Sequence, residues 1–275
     1  MMNSENFAAK RFSLGGDFFI AVCSFFLFYS FLKNPHPQLV SLALLIGFGS
    51  FLYYTFLHSF DHKTASYRLS IIWYLGAMFS IFWLWLLSQT FDFFIWTNFA
   101  AALVLLIYQL PHRKFQLRDI PFLKSCLISV FWCYFLVWYP CHLERFMVSD
   151  LSMLLIENFF FILSLSLIYD YYDTAQDEKY GLKTLVNFHF KNSAEFIVVG
   201  LLILACLPGL TGILFPKYFL FGEFVRISFS TQVLVSVIGG AFWYNKYKIR
   251  TNYLFLWDGL ILLKSLIIIF VYKFF

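Results

Sequence analysis

Residues 151–169 read LSMLLIENFFFILSLSLIY, and the acidic run DYYDTAQDEK follows directly at residues 170–179. The first stretch has nearly the length that an α-helix needs to cross the hydrocarbon core of a bilayer, roughly 20 mostly apolar residues. The second stretch brings carboxylates to the point where such a helix leaves the membrane. Together they predict a membrane-spanning helix with a polar site at one end.

The composition of the chain predicts several further membrane spans. Of the 275 residues, 61% are hydrophobic and 13% are charged, whereas soluble domains average about 45–50% and about 25%. Charged residues are too few to cover the surface of a soluble domain. The composition therefore predicts a polytopic membrane protein, and it excludes a secreted enzyme, a nucleic-acid-binding domain and a disordered regulator.

The whole chain, residues 1–275, is predicted to be one all-α domain of nine transmembrane helices, because the connections between apolar runs are too short to hold another domain. The predicted spans are Phe18–Leu32, Leu39–Leu57, Leu69–Leu87, Phe93–Leu110, Phe122–Tyr139, Leu151–Tyr169, Phe196–Leu210, Ile227–Trp243 and Leu254–Phe270. Most prolines fall at or near the ends of these spans, where a missing backbone N–H is least costly.

The positions of Lys and Arg predict the orientation of the spans. Thirteen of these residues lie in the N-terminus and the connections on its side of the membrane, and five lie on the opposite side. Cytoplasmic connections are enriched in Lys and Arg, so we expect a cytoplasmic N-terminus and a C-terminus outside. We expect a multi-pass protein of the cell (inner) membrane, with the lipid bilayer and no nucleic acid as a partner.

The acidic run after the sixth span is a candidate metal site. Asp170, Asp173 and Asp177 are spaced i, i+3 and i+7, which places them on one face of a continuing helix. Like charges in this arrangement repel unless a cation lies among them, and carboxylates suit Mg²⁺. Lys183 follows close by as a donor to phosphate oxygens. The alternative is a solvated acidic helix end without a ligand.

A second polar connection follows the second span. His58 and His62 are spaced i, i+4, with Asp61 between them and Lys63 next. This spacing can bind a transition metal through imidazole nitrogens. The alternative is a pair of interfacial histidines that bond to their neighbours. Both polar connections are predicted on the same face of the membrane, which permits a shared site.

The polar residues inside predicted spans include Glu157, Asn158, Asp258 and Lys264. Glu157 lies about 20 Å deeper in the predicted span than Asp170, at the helical rise per residue. A carboxyl group at this depth is expected to face the bundle interior, for a functional or a structural reason. Asp258 and Lys264 are each expected to pair with another span, or Lys264 to extend its ammonium toward the interface.

The run Asp170-x-x-Asp173-x-x-x-Asp177-x-x-x-Gly181-x-x-Thr184-Leu185 resembles the second aspartate motif of the UbiA-type membrane prenyltransferases. The resemblance implies nine helices around a central cavity under a cytoplasmic cap. It implies a prenyl diphosphate and an aromatic or lipid-like acceptor as substrates, with Mg²⁺ as cofactor. Asp173 and Asp177 would be the catalytic Mg²⁺ ligands, Asp170 would support them, and Lys183 would contact the diphosphate.

The first motif of that family, Asn-x-x-x-Asp-x-x-x-Asp at the end of the second span, has no acidic pair in this chain. Tyr54, His58 and His62 occupy its positions. Three possibilities remain. Either the second motif alone supplies the carboxylates of the metal site, or protonated histidines and Lys63 hold the diphosphate, or catalysis has been lost. The alternative function is therefore a catalytically impaired relative that binds isoprenoid lipid or scaffolds membrane enzymes. A third function, small-solute transport, is suggested by the intramembrane residues Glu157, Asn158 and Lys264.

Overall fold

The computed structural model describes residues 14–60, 120, 123–179, 193–214, 222–245 and 253–274, and this part of the chain forms helices and no β-strand. Its seven helices are α1 (Leu14–Ser30), α2 (Pro37–Phe60), α3 (Leu123–Leu143), α4 (Val148–Lys179), α5 (Ala194–Leu214), α6 (Glu223–Tyr244) and α7 (Tyr253–Phe274). The predicted all-α class is confirmed for the described residues.

Each of these helices coincides with one predicted span. Within the described residues, four segments are long and apolar enough to cross a membrane, namely Leu123–Leu143, Val148–Tyr172, Ala194–Thr211 and Glu223–Tyr244. Asp17–Ser30 and Pro37–Leu52 are shorter apolar helices. The predicted spans 69–87 and 93–110 lie outside the described residues, so the count of nine spans and the central cavity stay predictions.

The helices pack in a ring. Helix α1 packs against α2 and α7, and the order continues from α7 through α6, α5 and α4 to α3, which returns to α1. Bulky side chains such as Phe28, Phe161, Phe229 and Trp257 fill the interior and are almost fully buried. This packing positions α4, α6 and α7 around a shared interior.

Glycines allow two pairs of helices to approach closely. A Cβ added at Gly47 would lie 3.0 Å from the backbone oxygen of Ala21, across the α1–α2 contact. One added at Gly209 would lie 3.1 Å from the backbone oxygen of Phe229, across the α5–α6 contact. Small residues at such contacts are typical of helices that associate in membranes, because they let the backbones come together.

Helix α5 carries an exposed stripe of large apolar side chains. Phe196 is 81% exposed, Ile203 57% and Leu214 67%, and Val199, Leu207 and Leu210 lie between them at helical spacing. Soluble proteins rarely expose a continuous apolar surface of this kind. The stripe therefore fits a helix whose outer face is covered by lipid chains.

Helix α4 continues to Lys179, beyond the predicted end of its span at Tyr169, so the continuing helix predicted for the three aspartates is confirmed. The structure differs from the sequence prediction in two local features. Residues Tyr134–Trp138 form a π-helical turn inside α3. Pro208 lies inside α5, which extends beyond the predicted Leu210; membrane helices tolerate such a proline because neighbouring groups bond the freed carbonyls.

Candidate functional site

The acidic end of α4 begins with a buried carboxylate. Asp170 is only 1% exposed, although it lies near the end of the apolar segment. Its Oδ1 accepts a hydrogen bond from Lys124 Nζ at 2.7 Å, and its Oδ2 accepts one from Ser125 Oγ at 2.7 Å. Both oxygens of this carboxylate are therefore bound by the neighbouring helix.

The two donors come from the first turn of α3, which begins at Leu123. Lys124 and Ser125 are consecutive, so a single turn of helix presents an ammonium and a hydroxyl to one carboxylate. Ser125 is fully buried, whereas the Lys124 side chain is 32% exposed. The positive end of the α3 dipole adds a favourable interaction with the negative charge of Asp170.

The other predicted site residues are described only in part or not at all. Asp173 and Asp177 lie on α4, and His58 lies on α2, but the side chains of these three residues are outside the described part. Asp61, His62, Lys63 and Lys183 are outside the described residues altogether. The structure therefore confirms that the acidic run is helical. That the two polar connections lie close to each other stays a prediction.

Metal binding is untested by the described residues. Among them, no group of three or more His, Cys, Asp or Glu side chains is close enough to hold a metal ion. The predicted Mg²⁺ ligands Asp173 and Asp177 have side chains beyond that set. The predicted role of Asp170 as a metal ligand also stays a prediction, with the added finding that both its oxygens already accept hydrogen bonds.

A second polar cluster lies in the middle of the helix bundle. Lys264 on α7 is fully buried, and its ammonium donates to Glu157 Oε1 at 2.5 Å, Asn158 Oδ1 at 2.9 Å and Gln232 Oε1 at 2.6 Å. An ammonium has three N–H donors, and each meets an acceptor here. Three helices, α4, α6 and α7, thus share one lysine.

The acceptors are themselves oriented by further contacts. Ser228 Oγ donates to Glu157 Oε1 at 3.2 Å, Gln232 Nε2 donates to Ser236 Oγ at 2.9 Å, and Asn158 Nδ2 donates to the backbone oxygen of Leu154 at 2.7 Å. Glu157 Oε2 is buried and has no hydrogen-bond partner among the described residues. The cluster is satisfied everywhere except at this oxygen.

In their ionised forms, Lys264 and Glu157 carry opposite charges that cancel. A lone charge at this depth is expensive, and pairing removes much of that cost. The sequence left two possibilities open for Lys264, and the structure shows that it pairs with another helix instead of extending to the interface. Glu157 and Asn158 face the bundle interior, as predicted.

Sequence reasoning missed the partners of both charged groups. No role was predicted for Lys124, Ser125, Ser228 or Gln232. An available signal was the presence of opposite charges in different predicted spans, since an ionisable residue inside a membrane is expected to have a partner. Which residues pair depends on helix rotation, which a single sequence does not specify.

The part of the chain that the structure describes is all-helical, and its apolar helices fit a bilayer. Comparison of the chain with protein-family models, with curated proteins and with solved structures returns no match. The resemblance to prenyltransferases therefore depends on the residues quoted above.

Proposed function

We propose that the protein is a UbiA-like integral membrane prenyltransferase, which transfers an isoprenyl group from a prenyl diphosphate to an aromatic or lipid-like acceptor. In this proposal the chain has nine spans in the cell (inner) membrane, with a cytoplasmic N-terminus and an external C-terminus. One observation carries the proposal: α4 runs unbroken from Val148 to Lys179, through the end of its apolar segment at Tyr172.

That continuity matters for the three aspartates. At about 100° per residue, positions 173 and 177 are about 60° and 20° from position 170 around the helix axis. The three α-carbons therefore lie along one face of α4, just where the helix leaves its apolar segment. A break in the helix before Lys179 would have removed this support.

The donor set on this face fits Mg²⁺, which takes carboxylate oxygens and keeps water and phosphate oxygens in its shell. Asp173 and Asp177 would hold the ion, while both oxygens of Asp170 are engaged by α3. Bound there, the ion would supply charge neutralisation for the leaving diphosphate. Lys183 and Lys63 would bind phosphate oxygens from the connections.

The connection after α2 would form the opposite side of the site. His58, Asp61 and His62 are assigned to the substrate diphosphate in this proposal, because protonated imidazole donates hydrogen bonds to phosphate oxygens. Asp61 would hold the imidazoles in orientation. The isoprenyl chain would extend into the apolar interior, where aromatic side chains can stabilise an allylic cation.

The test is diphosphate release by the purified full-length protein from prenyl donors of several chain lengths, with candidate acceptors and with or without Mg²⁺. We expect Mg²⁺-dependent release by the wild type and its loss in Asp173→Ala. Asp150→Asn is the matched control, since Asp150 lies at the other end of the same helix. Equal release by wild type and Asp173→Ala, or none with any donor, contradicts the proposal; co-purified isoprenoid lipid without release would favour the catalytically impaired relative.

The Lys264 cluster favours a second candidate, proton-coupled transport of a small solute, because it joins the ionisable groups of α4 and α7 and an amide of α6 in the bundle interior. Proton flux into proteoliposomes, followed with an internal pH dye under an imposed potential, tests this candidate. Transport predicts flux above that of empty vesicles and its loss in Glu157→Gln. Flux equal to that of empty vesicles contradicts it.

A further inference from the structure

The contacts of Asp170 are unusual for a metal ligand. A carboxylate that binds Mg²⁺ directly has at least one oxygen facing the ion. Asp170 is only 1% exposed, and it accepts hydrogen bonds from Lys124 at Oδ1 and from Ser125 at Oδ2. Its two oxygens therefore serve a contact between α3 and α4. This contact fixes the rotation of α4 at the level where its acidic face begins.

The rotation of α4 controls the direction of the whole acidic face. Positions 173 and 177 lie within about 60° of position 170 around the axis, so a turn of the helix moves all three together. Lys124 and Ser125 come from the first turn of a separate helix. They can therefore set the direction of the face without belonging to it.

We infer that Lys124 and Ser125 are positioning residues for the metal-holding face of α4, acting through Asp170, which is an anchor and not a metal ligand. This inference rests on the proposed function, because it assigns roles around the same Mg²⁺ site. Residues that orient metal ligands from outside the coordination shell typically change metal affinity by about 10–100-fold when they are replaced.

The opposite assignment makes an opposite prediction. If Asp170 bound the metal directly, Lys124 would compete with the ion for Asp170, since its ammonium contacts the same carboxylate. Removing the ammonium would then free a ligand and strengthen metal binding. A positioning role predicts weaker binding for the same substitution, so the sign of the change separates the two assignments.

The experiment measures Mn²⁺ binding to the full-length protein in detergent, from the loss of the free-ion electron paramagnetic resonance signal. We expect Lys124→Met and Asp170→Asn each to weaken binding by about tenfold or more, and the double variant to be no weaker than either single variant. Lys124→Arg should keep Mn²⁺ binding close to that of the wild type, because a guanidinium group also pairs with a carboxylate. Lys33→Met is the control, since Lys33 lies over the Phe146 ring at another site.

The outcomes are distinct. Tighter or unchanged binding in Lys124→Met overturns the inference alone, even if that variant unfolds at a lower temperature, and Ser125→Ala gives the same test with a smaller change in volume. Additive losses in the Lys124→Met/Asp170→Asn double variant also overturn it. A wild type that binds no Mn²⁺ overturns the proposed metal-dependent function, and the inference with it.

Discussion

Lys264 Nζ lies 2.5 Å from Glu157 Oε1, and both side chains are fully buried although 107 residues separate them in the chain. The pair joins the last described helix to α4 in the middle of the bundle. Apolar side chains surround the polar cluster, since the Phe161 ring lies 5.7 Å from the same nitrogen and the helices are rich in Leu, Ile and Phe. Its energetics can therefore be tested by removing one charge or both.

Lys264→Met is expected to lower the free energy of unfolding by about 3–5 kcal/mol, because it leaves the Glu157 carboxylate buried without its counter-ion. The double variant Glu157→Leu/Lys264→Met should recover most of this loss, since replacing a whole buried pair by apolar side chains is often neutral. Reversible unfolding in mixed detergent micelles measures both values. A double variant as unstable as the sum of the two single variants would show that the pair does not interact.

Gln232→Met should also destabilise the protein, by about 1–3 kcal/mol, because one N–H of the Lys264 ammonium loses its acceptor. Methionine has a similar volume and an apolar side chain, so the packing around position 232 changes little. Leu234→Met on the same helix is the control, since Leu234 is 48% exposed. Equal stability of the two variants would mean that Lys264 does not depend on Gln232.

Gly209→Leu should cost about 1–3 kcal/mol through overpacking, because a Cβ at this position would already lie 3.1 Å from the Phe229 backbone oxygen. Gly200→Leu is the matched control on the same helix, since a Cβ there has no neighbour within 4 Å. Thermal unfolding of both variants in one detergent gives the difference. Similar melting temperatures would contradict the close approach of α5 and α6.

The predicted orientation can be tested with single cysteines in a variant that lacks the five native ones. Ser4→Cys should be protected from a membrane-impermeant maleimide in intact cells, whereas Phe275→Cys should react, because the basic residues predict a cytoplasmic N-terminus and an external C-terminus. Permeabilised cells provide the control, where both should react. Labelling of both cysteines, or of neither, in intact cells would mean an even number of spans.

Much of the helical architecture follows from hydropathy, because a run of apolar residues must be helical to satisfy its backbone in lipid. The ends are less predictable. The apolar run of α4 ends at Tyr169, but the helix continues to Lys179, because polar residues can also form a helix in water. The π-helical turn at Tyr134–Trp138 leaves the apolar pattern unchanged, so hydropathy does not predict it.

The candidate site shows a similar division. The spacing of Asp170, Asp173 and Asp177 predicts a shared helix face, which is a local property of one helix. The partner of Asp170 depends on the rotation of α3 against α4, and the partner of Glu157 depends on the packing of α7. These are long-range contacts, and one sequence contains no direct record of them.

The contact between α1 and α7 links the earliest and latest described helices of the chain. More than 200 residues separate Ser30 from Tyr253, and a ribosome that adds about 5–20 residues per second needs roughly 10–45 s to make them. During that interval the face of α1 that finally meets α7 must rest against lipid or an insertion factor. Closure of the ring is therefore a late event of biogenesis, and truncations that remove α7 should leave α1 without its final neighbour.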